Sequence, residues 1–227
     1  MSDRDELKRA AAAKAIELVE DGMVVGLGTG STAAFVVAGL GERVRKGLKI
    51  VAIPTSEHTA EMARELGIEL TNFARHQRID LAIDGADEVE RRTLQLIKGR
   101  GGALLREKIV AAASRRFIVV VDGEKIVDHL GEHFPVPVEV VRFGWQATAA
   151  ALQATGARPE LRAHHGEPFV TDGGNYILDC HMGTIKDPAE LERRLNAPVG
   201  VVENGLFIGR TSQVIVASET GIEVLNP

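Results

Sequence analysis

Continuous apolar runs recur through the first half of the chain, with a helix-patterned stretch between nearly every pair. They are Met23–Gly28 (MVVGLG), Lys49–Ile53, Leu81–Asp84 and Phe117–Asp122 (FIVVVD), with a further apolar segment at Leu94–Lys98 (LQLIK). A strand with one wet face alternates apolar and polar residues, whereas a strand apolar throughout needs cover on both faces. Helices are expected at about Asp5–Val19, Thr32–Val44, Glu57–Leu66 and Ala103–Ala113. The alternation predicts an α/β fold: a doubly wound, mostly parallel, Rossmann-like sheet with helices on both faces.

After about Gly131 the texture changes. Pro135–Val141 reads as a strand, Trp145–Ala154 as a helix, Glu160–Ala163 and Tyr176–His181 as strands, Pro188–Leu195 as a helix capped by Asp187, and Val199–Val202 as a last strand. That β-α-β-β-α-β order predicts a smaller ferredoxin-like α+β domain. The expected division is residues 1–131 plus about 205–227 for the α/β domain and about 132–204 for the small one, with Gln213–Ala217 returning to the first sheet.

Composition narrows the partners. Of 227 residues 44% are hydrophobic, enough for a sizeable core, and 27 basic against 32 acidic residues leave a net charge of −5. No basic stripe is visible, which argues against nucleic acid, so local groups must hold any anion. No apolar run is long enough to cross a bilayer, and the charged N-terminal stretch lacks the apolar region of a signal peptide. Cys180, the single cysteine, suits a reducing compartment and reads as a small buried strand residue. A soluble cytoplasmic protein is expected.

Ligands of open parallel sheets bind beyond the carboxyl ends of the strands. The segments that follow the apolar runs are Gly28-Thr29-Gly30-Ser31-Thr32, then Thr55-Ser56, Asp84-Gly85-Ala86-Asp87-Glu88, Lys98-Gly99-Arg100-Gly101-Gly102 and Asp122-Gly123-Glu124-Lys125. The first opens a helix, whose N-terminus favours an anion, and its glycines admit close backbone approach. It is neither a Walker A loop nor GxGxxG, which argues against a dehydrogenase. Asp84 and Asp87 could form an acid–base pair or bind the hydroxyls of a polyol, or could be a solvated turn; as a metal site they lack a further ligand. Glu107 shares a helix side with Leu104 and Ala111. It is either a poorly solvated carboxylate suited to general-base work or an exposed acid paired with a Lys or Arg. His129 and His133 stand four apart, but Gly131 between them weakens a zinc reading, and His164-His165 reads as a loop pair.

At GLGTGST, IDGADEV, IKGRGGALLREK and VVDGEK the chain resembles the type A ribose-5-phosphate isomerase family, with FPVPVEV and TDGGNYILD extending the likeness from about Leu7 to the C-terminus. The resemblance implies interconversion of ribose 5-phosphate and ribulose 5-phosphate through an enediolate, in the non-oxidative pentose phosphate pathway. It implies no metal or organic cofactor, and a homodimer or higher homo-oligomer. It also implies that Thr29, Gly30, Ser31, Thr32, Asp84, Gly85, Ala86, Asp87, Lys98, Gly99, Arg100, Gly101 and Lys125 bind the sugar phosphate. Glu107 would be the base, Asp84 would assist ring opening, Lys98 would stabilise the charge on the C1 oxygen, and Asp87 belongs to the same catalytic set. Arg100 stands where the family has glycine, and Gly173 where it has Asn. The competing reading is a sugar-phosphate-sensing domain without catalysis, and a coenzyme A transferase-like enzyme is a more distant one. No basic helix-turn-helix segment precedes Met23 to favour the sensor.

Overall fold

The computed structural model describes residues 3–227. Along the first part of the chain the elements are α1 (Asp3–Ile16), β1 (Val24–Leu27), α2 (Ser31–Arg45), β2 (Val51–Pro54), α3 (Glu57–Glu65), β3 (Glu69–Leu70), β4 (Ile79–Asp84), β5 (Glu88–Glu90), β6 (Leu96–Ile97), α4 (Leu104–Ala113) and β7 (Ser114–Asp122). They continue as β8 (Ile126–Val127), β9 (Val136–Val140), α5 (Trp145–Gln153), β10 (Arg158–Leu161), β11 (Ala163–His164), β12 (Glu167–Pro168), β13 (Tyr176–His181), α6 (Pro188–Asn196), β14 (Val201–Asn204), β15 (Leu206–Phe207), β16 (Gln213–Ser218) and β17 (Gly221–Leu225). The chain divides into two compact units. One holds the described residues through Ala86 with Arg106–Ile126 and Arg210–Pro227; the other holds Asp87–Leu105 and Val127–Gly209.

The first unit is built on a seven-stranded sheet of order β17-β16-β7-β4-β1-β2-β3. All its pairings are parallel except β16 with β17. Its inner strands are buried along nearly their whole length, which is why they read as apolar runs. On one face Val25, Leu27, Leu81, Ile83, Ile118, Val120, Ile215 and Ala217 form a core with Ala11, Ala12 and Ala15 of α1 and Val36, Val37 and Leu40 of α2. Each fully buried Val, Leu or Ile contributes about 1.5–3 kcal/mol. The other face receives α4 at Gly26, where an added Cβ would lie 2.5 Å from Val110 Cγ1 and 2.7 Å from Ala82 Cβ. Helix cover on both faces bears out the doubly wound reading.

The second unit carries the antiparallel sheet β10-β13-β9-β14. With α5 and α6 in sequence this is the expected ferredoxin-like order. Its core joins Val136, Val138, Val140, Leu178 and Cys180 to Leu152 of α5 and Leu191 and Leu195 of α6. Asp187 caps α6, its side chain accepting from the Glu190 N–H.

Two expectations change. The Leu94–Lys98 segment is not a strand of the parallel sheet. Only Leu96–Ile97 is extended, pairing antiparallel with β5 and β15 in a separate small sheet of order β15-β6-β5-β8. Residues 87–105 therefore fall in the second unit, not in the α/β unit where the division at 131 put them. The reason is backbone pairing: Ile97 faces Leu206, and the Lys98 N–H donates to Gly205 O at 2.9 Å. The edge strand β17 gives no apolar run because four of its five residues are exposed.

Candidate active site

In the first unit the carboxyl ends of β1, β2 and β4 carry a polar cluster. Asp84, the last residue of β4, is 2% exposed. Its Oδ1 accepts from the backbone N–H of Gly85 (2.7 Å) and Thr29 (3.1 Å). A Cβ on Gly28 would stand 2.1 Å from that oxygen, so the close approach of the loop to Asp84 requires glycine there. Thr29 turns the other way. Its Oγ1 shares a hydrogen bond with Thr55 Oγ1 (2.7 Å) and donates to Ser56 Oγ (2.9 Å), while Thr59 Oγ1 donates to Gly28 O (3.0 Å). The sequence-predicted Thr29 hydroxyl is thus tied into the scaffold that shapes the loop.

Gly30, with φ 108°, stands at the N-cap of α2, and no side chain caps the helix. An uncapped helix N-terminus, with Ser31 exposed and Thr32 half-buried beside it, is a place for an anion. Lys8, on α1, donates from Nζ to Ser31 Oγ at 3.0 Å and sets a cation at that terminus. The sequence reading missed Lys8, because one lysine on a charged helix looks like any solvated face. Lys125 is half-buried at the end of the turn Gly123–Lys125. Arg4 holds that turn, pairing with Asp122 Oδ2 (3.2 Å) and Glu124 Oε2 (3.1 Å).

Glu107 is not an exposed acid: it is 4% exposed. The acid paired on the surface is a different one, Glu57, bonded to Arg106 at 2.8 Å. The Arg106 guanidinium holds the Glu57 carboxyl below its usual range. Helix α4 is turned so that Glu107 and Lys108 are buried while Ile109 is 46% exposed. Burying charge and exposing a large aliphatic residue opposes the hydrophobic effect, and such reversals mark functional positions.

In the second unit Lys98 is 3% exposed, its Nζ 5.6 Å from the centre of the Phe207 ring. The following turn is glycine-dependent. Gly99 has φ 104° and Gly102 φ 85°, and Gly102 N–H donates to Gly99 O at 2.9 Å. Arg100, the departure from the family pattern, is exposed, and its guanidinium lies 4.9 Å from the Phe134 ring centre. Its backbone N–H donates to Asp87 Oδ2 at 2.9 Å. So Asp87 is joined to the 98–101 turn, Gly101 is exposed, and Asp84, Gly85 and Ala86 belong to the first unit.

The histidine spacing comes to nothing. His129 and His133 lie in turns, and the His133 N–H donates to Glu88, which also takes the N–H of Gly131 and Phe134. Among the described residues no group of three or more His, Cys, Asp and Glu is placed to hold a metal ion, and no helix is long and apolar enough to cross a membrane. Cys180 is buried in β13, and burial pushes its thiol up to about 12.

Residues 51–221 match the family model for ribose 5-phosphate isomerase A (phosphoriboisomerase A). The chain is 64% identical to the ribose-5-phosphate isomerase A of Gloeobacter violaceus, covering 99% of this chain and 98% of that one. It is 56% identical to that of Gluconobacter oxydans over 100% and 99%. Among solved structures, ribose 5-phosphate isomerase A of Methanocaldococcus jannaschii superposes with a TM-score of 0.93 at 43% identity, covering 98% of this chain and 99% of that one. A D-ribose-5-phosphate isomerase in complex with phospho-erythronic acid superposes with a TM-score of 0.96 at 41% identity, covering 100% of both.

Proposed function

The chain belongs to the ribose 5-phosphate isomerase A family, and we propose that Glu107 carries its reaction, moving a proton between C2 and C1 of the sugar. The enzyme interconverts D-ribose 5-phosphate and D-ribulose 5-phosphate through an enediolate, a step of the non-oxidative pentose phosphate pathway. The sensor reading receives no support.

The observation that carries the assignment is the burial of Glu107 within α4, on the helix that follows the glycine-rich turn. A carboxylate withdrawn from water, on the helix that follows a ligand loop, is a candidate general base. In the proposed sequence Asp84 takes the proton of the anomeric hydroxyl and delivers it to the ring oxygen as the sugar opens. Glu107 removes the proton from C2, and charge moves to the C1 oxygen, where the Lys98 ammonium stabilises it. The C2 hydroxyl gives up its proton as the ketone forms, the C1 oxygen gains one, and Glu107 returns its proton to C1. No step is routed through a metal or organic cofactor.

Substrate grip is assigned to the loops. The α2 N-terminus with Gly30, Ser31, Thr32 and Lys8 suits the phosphate, with Thr29 shaping the loop. Lys125 adds a cation, and Gly85, Ala86, Asp87, Gly99, Arg100 and Gly101 serve the hydroxyls. Phospho-erythronic acid, the ligand of one relative, carries a phosphate and a planar, negatively charged carboxyl group, and an enediolate of a sugar phosphate likewise joins a phosphate to a planar carbon bearing a charged oxygen. A homodimer or higher oligomer, which the family likeness implies, belongs to the same proposal. So does a cytoplasmic location, supported by the lone buried thiol.

The test is Glu107→Gln, nearly isosteric yet unable to take the C2 proton. Turnover should fall by about 10²–10⁴-fold or more. Calorimetry should still detect ribose 5-phosphate, and substrate in deuterated water should gain no deuterium. Near wild-type isomerisation would move the role to Asp84 or Asp87.

A further inference from the structure

We propose that Arg162, anchored by Asp179, is a positioning residue that sets the peptide planes of the 99–101 turn and, through them, the Asp87 carboxylate. The inference rests on the reading of that turn and of Asp87 as substrate-binding.

Every nitrogen of the guanidinium meets an acceptor. Nε and Nη2 form a two-pronged pair with Asp179 at 2.9 and 2.5 Å, and Nη1 donates to Gly99 O (2.8 Å) and Arg100 O (3.0 Å). The pair is mostly shielded, with side-chain exposures of 14% and 19%. The backbone of Arg162 is pinned as well: its N–H donates to Ile177 O at 2.9 Å, and its carbonyl accepts from Phe169 N–H at 2.8 Å. The Phe169 ring lies 6.0 Å from the guanidinium and packs where a Cβ on Gly102 would be. An Arg this well held is a rigid fork, and the turn it grips is not rigid by itself. Gly99, at φ 104°, belongs to a sequence whose glycines reach many conformations at little cost.

The geometry of the peptide unit carries the effect onward. In a trans peptide the C=O and the next residue's N–H point in opposite directions, and among the described residues no cis peptide is present. Drawing Gly99 O towards Arg162 therefore aims the Arg100 N–H the other way, where it meets Asp87 Oδ2 at 2.9 Å. Drawing Arg100 O likewise turns the Gly101 N–H outward. The chain of contacts runs Asp179, Arg162, the Gly99–Arg100 peptide, Asp87. A lysine cannot replace the fork, because one ammonium lacks the planar set of donors that serves two carbonyls and a carboxylate together. Arg162 needs to touch no substrate for its loss to be felt. Misplacing a binding group by about 1 Å can cost on the order of 10²-fold.

The experiment is a double-mutant cycle on kcat/KM for ribose 5-phosphate with Arg162→Ala, Asp87→Asn and the pair, with thermal midpoints and Arg162→Lys as controls. Each single substitution should lower kcat/KM, Arg162→Ala by about 10²-fold. Added to Asp87→Asn, Arg162→Ala should cost less than about tenfold more, because the group it positions is already lost. Arg162→Lys should recover little of the activity. If Arg162→Ala does not fold, Asp179→Asn, which loosens the fork and keeps its charge, runs the same cycle. Full additivity would overturn the inference, since a merely structural loss is indifferent to residue 87. So would a silent Arg162→Ala beside a damaging Asp87→Asn, with the substrate-binding reading left intact. A silent Asp87→Asn would overturn that reading of Asp87, and the inference with it.

Discussion

At the residue scale, a glycine can matter for the atom it admits. Gly28 is such a position: the Asp84 carboxylate occupies the space its side chain would need, 2.1 Å from the Cβ site. Neither partner can give way easily, because Asp84 is fixed by two backbone N–H groups and buried. Gly28→Ala should therefore displace Asp84 and loosen the loop at the α2 N-terminus. We expect kcat/KM for ribose 5-phosphate to fall by about 10²-fold, with a lowered thermal midpoint. Gly30→Ala is the comparison. Its Cβ meets nothing within 4 Å, so it strains only the backbone at φ 108° and should leave Asp84 in place. Equal effects from the two substitutions would show that the glycine–carboxylate contact has no special role. The glycine run was visible in the sequence as a ligand loop. That one of its glycines serves a carboxylate 56 positions on was not, since neither residue type announces the other.

At the scale of the element, α4 shows what periodicity omits. The segment LLREKIVAAA is apolar on most sides, and its pattern alone allows several rotations about its own axis. The structure selects one in which Val110 packs at Gly26, Glu107 and Lys108 go inward, and Ile109 comes out. Opposite consequences are expected for adjacent residues. Val110→Ala should cost roughly 2 kcal/mol, from lost burial and the cavity left behind. Ile109→Gln should change stability by no more than about 0.5 kcal/mol. Urea unfolding midpoints decide it; equal costs would mean that the helix is rotated differently. Strand prediction shows the complementary failure. LQLIK reads as another buried strand, yet only two residues of it pair, in an antiparallel sheet. A short apolar run carries no mark of the partner strand it will find.

For the whole molecule, the one cysteine offers a handle on the second unit. Burial pushes Cys180 from an ordinary thiol value of 9.0 up to about 12, so ionising it in place opposes folding. The unfolded chain loses this proton first. The stabilisation is complete below about pH 9 and is lost as pH rises towards about 12. Stability should therefore fall more steeply between pH 9 and 10.5 in the native protein than in Cys180→Ala, and the native thiol should resist an aromatic disulfide reagent at pH 8. Parallel slopes would disprove the buried-thiol account. What the sequence by itself determined is the class of each half. Uninterrupted apolar strands between helices demand a sheet covered on both faces, and the later strand–helix order suits an antiparallel sheet with helices. It also marked the loops, because helix starts, glycine turns and charged residues next to apolar runs are local features. Only the tertiary structure decided that residues 87–105 join the second unit, that Glu107 is buried, that Lys8 stands at the α2 N-terminus, and that Arg162 grips a turn about sixty residues earlier. Those are long-range outcomes, fixed by backbone pairing and by which face of a helix meets the core, and local residue patterns do not encode either.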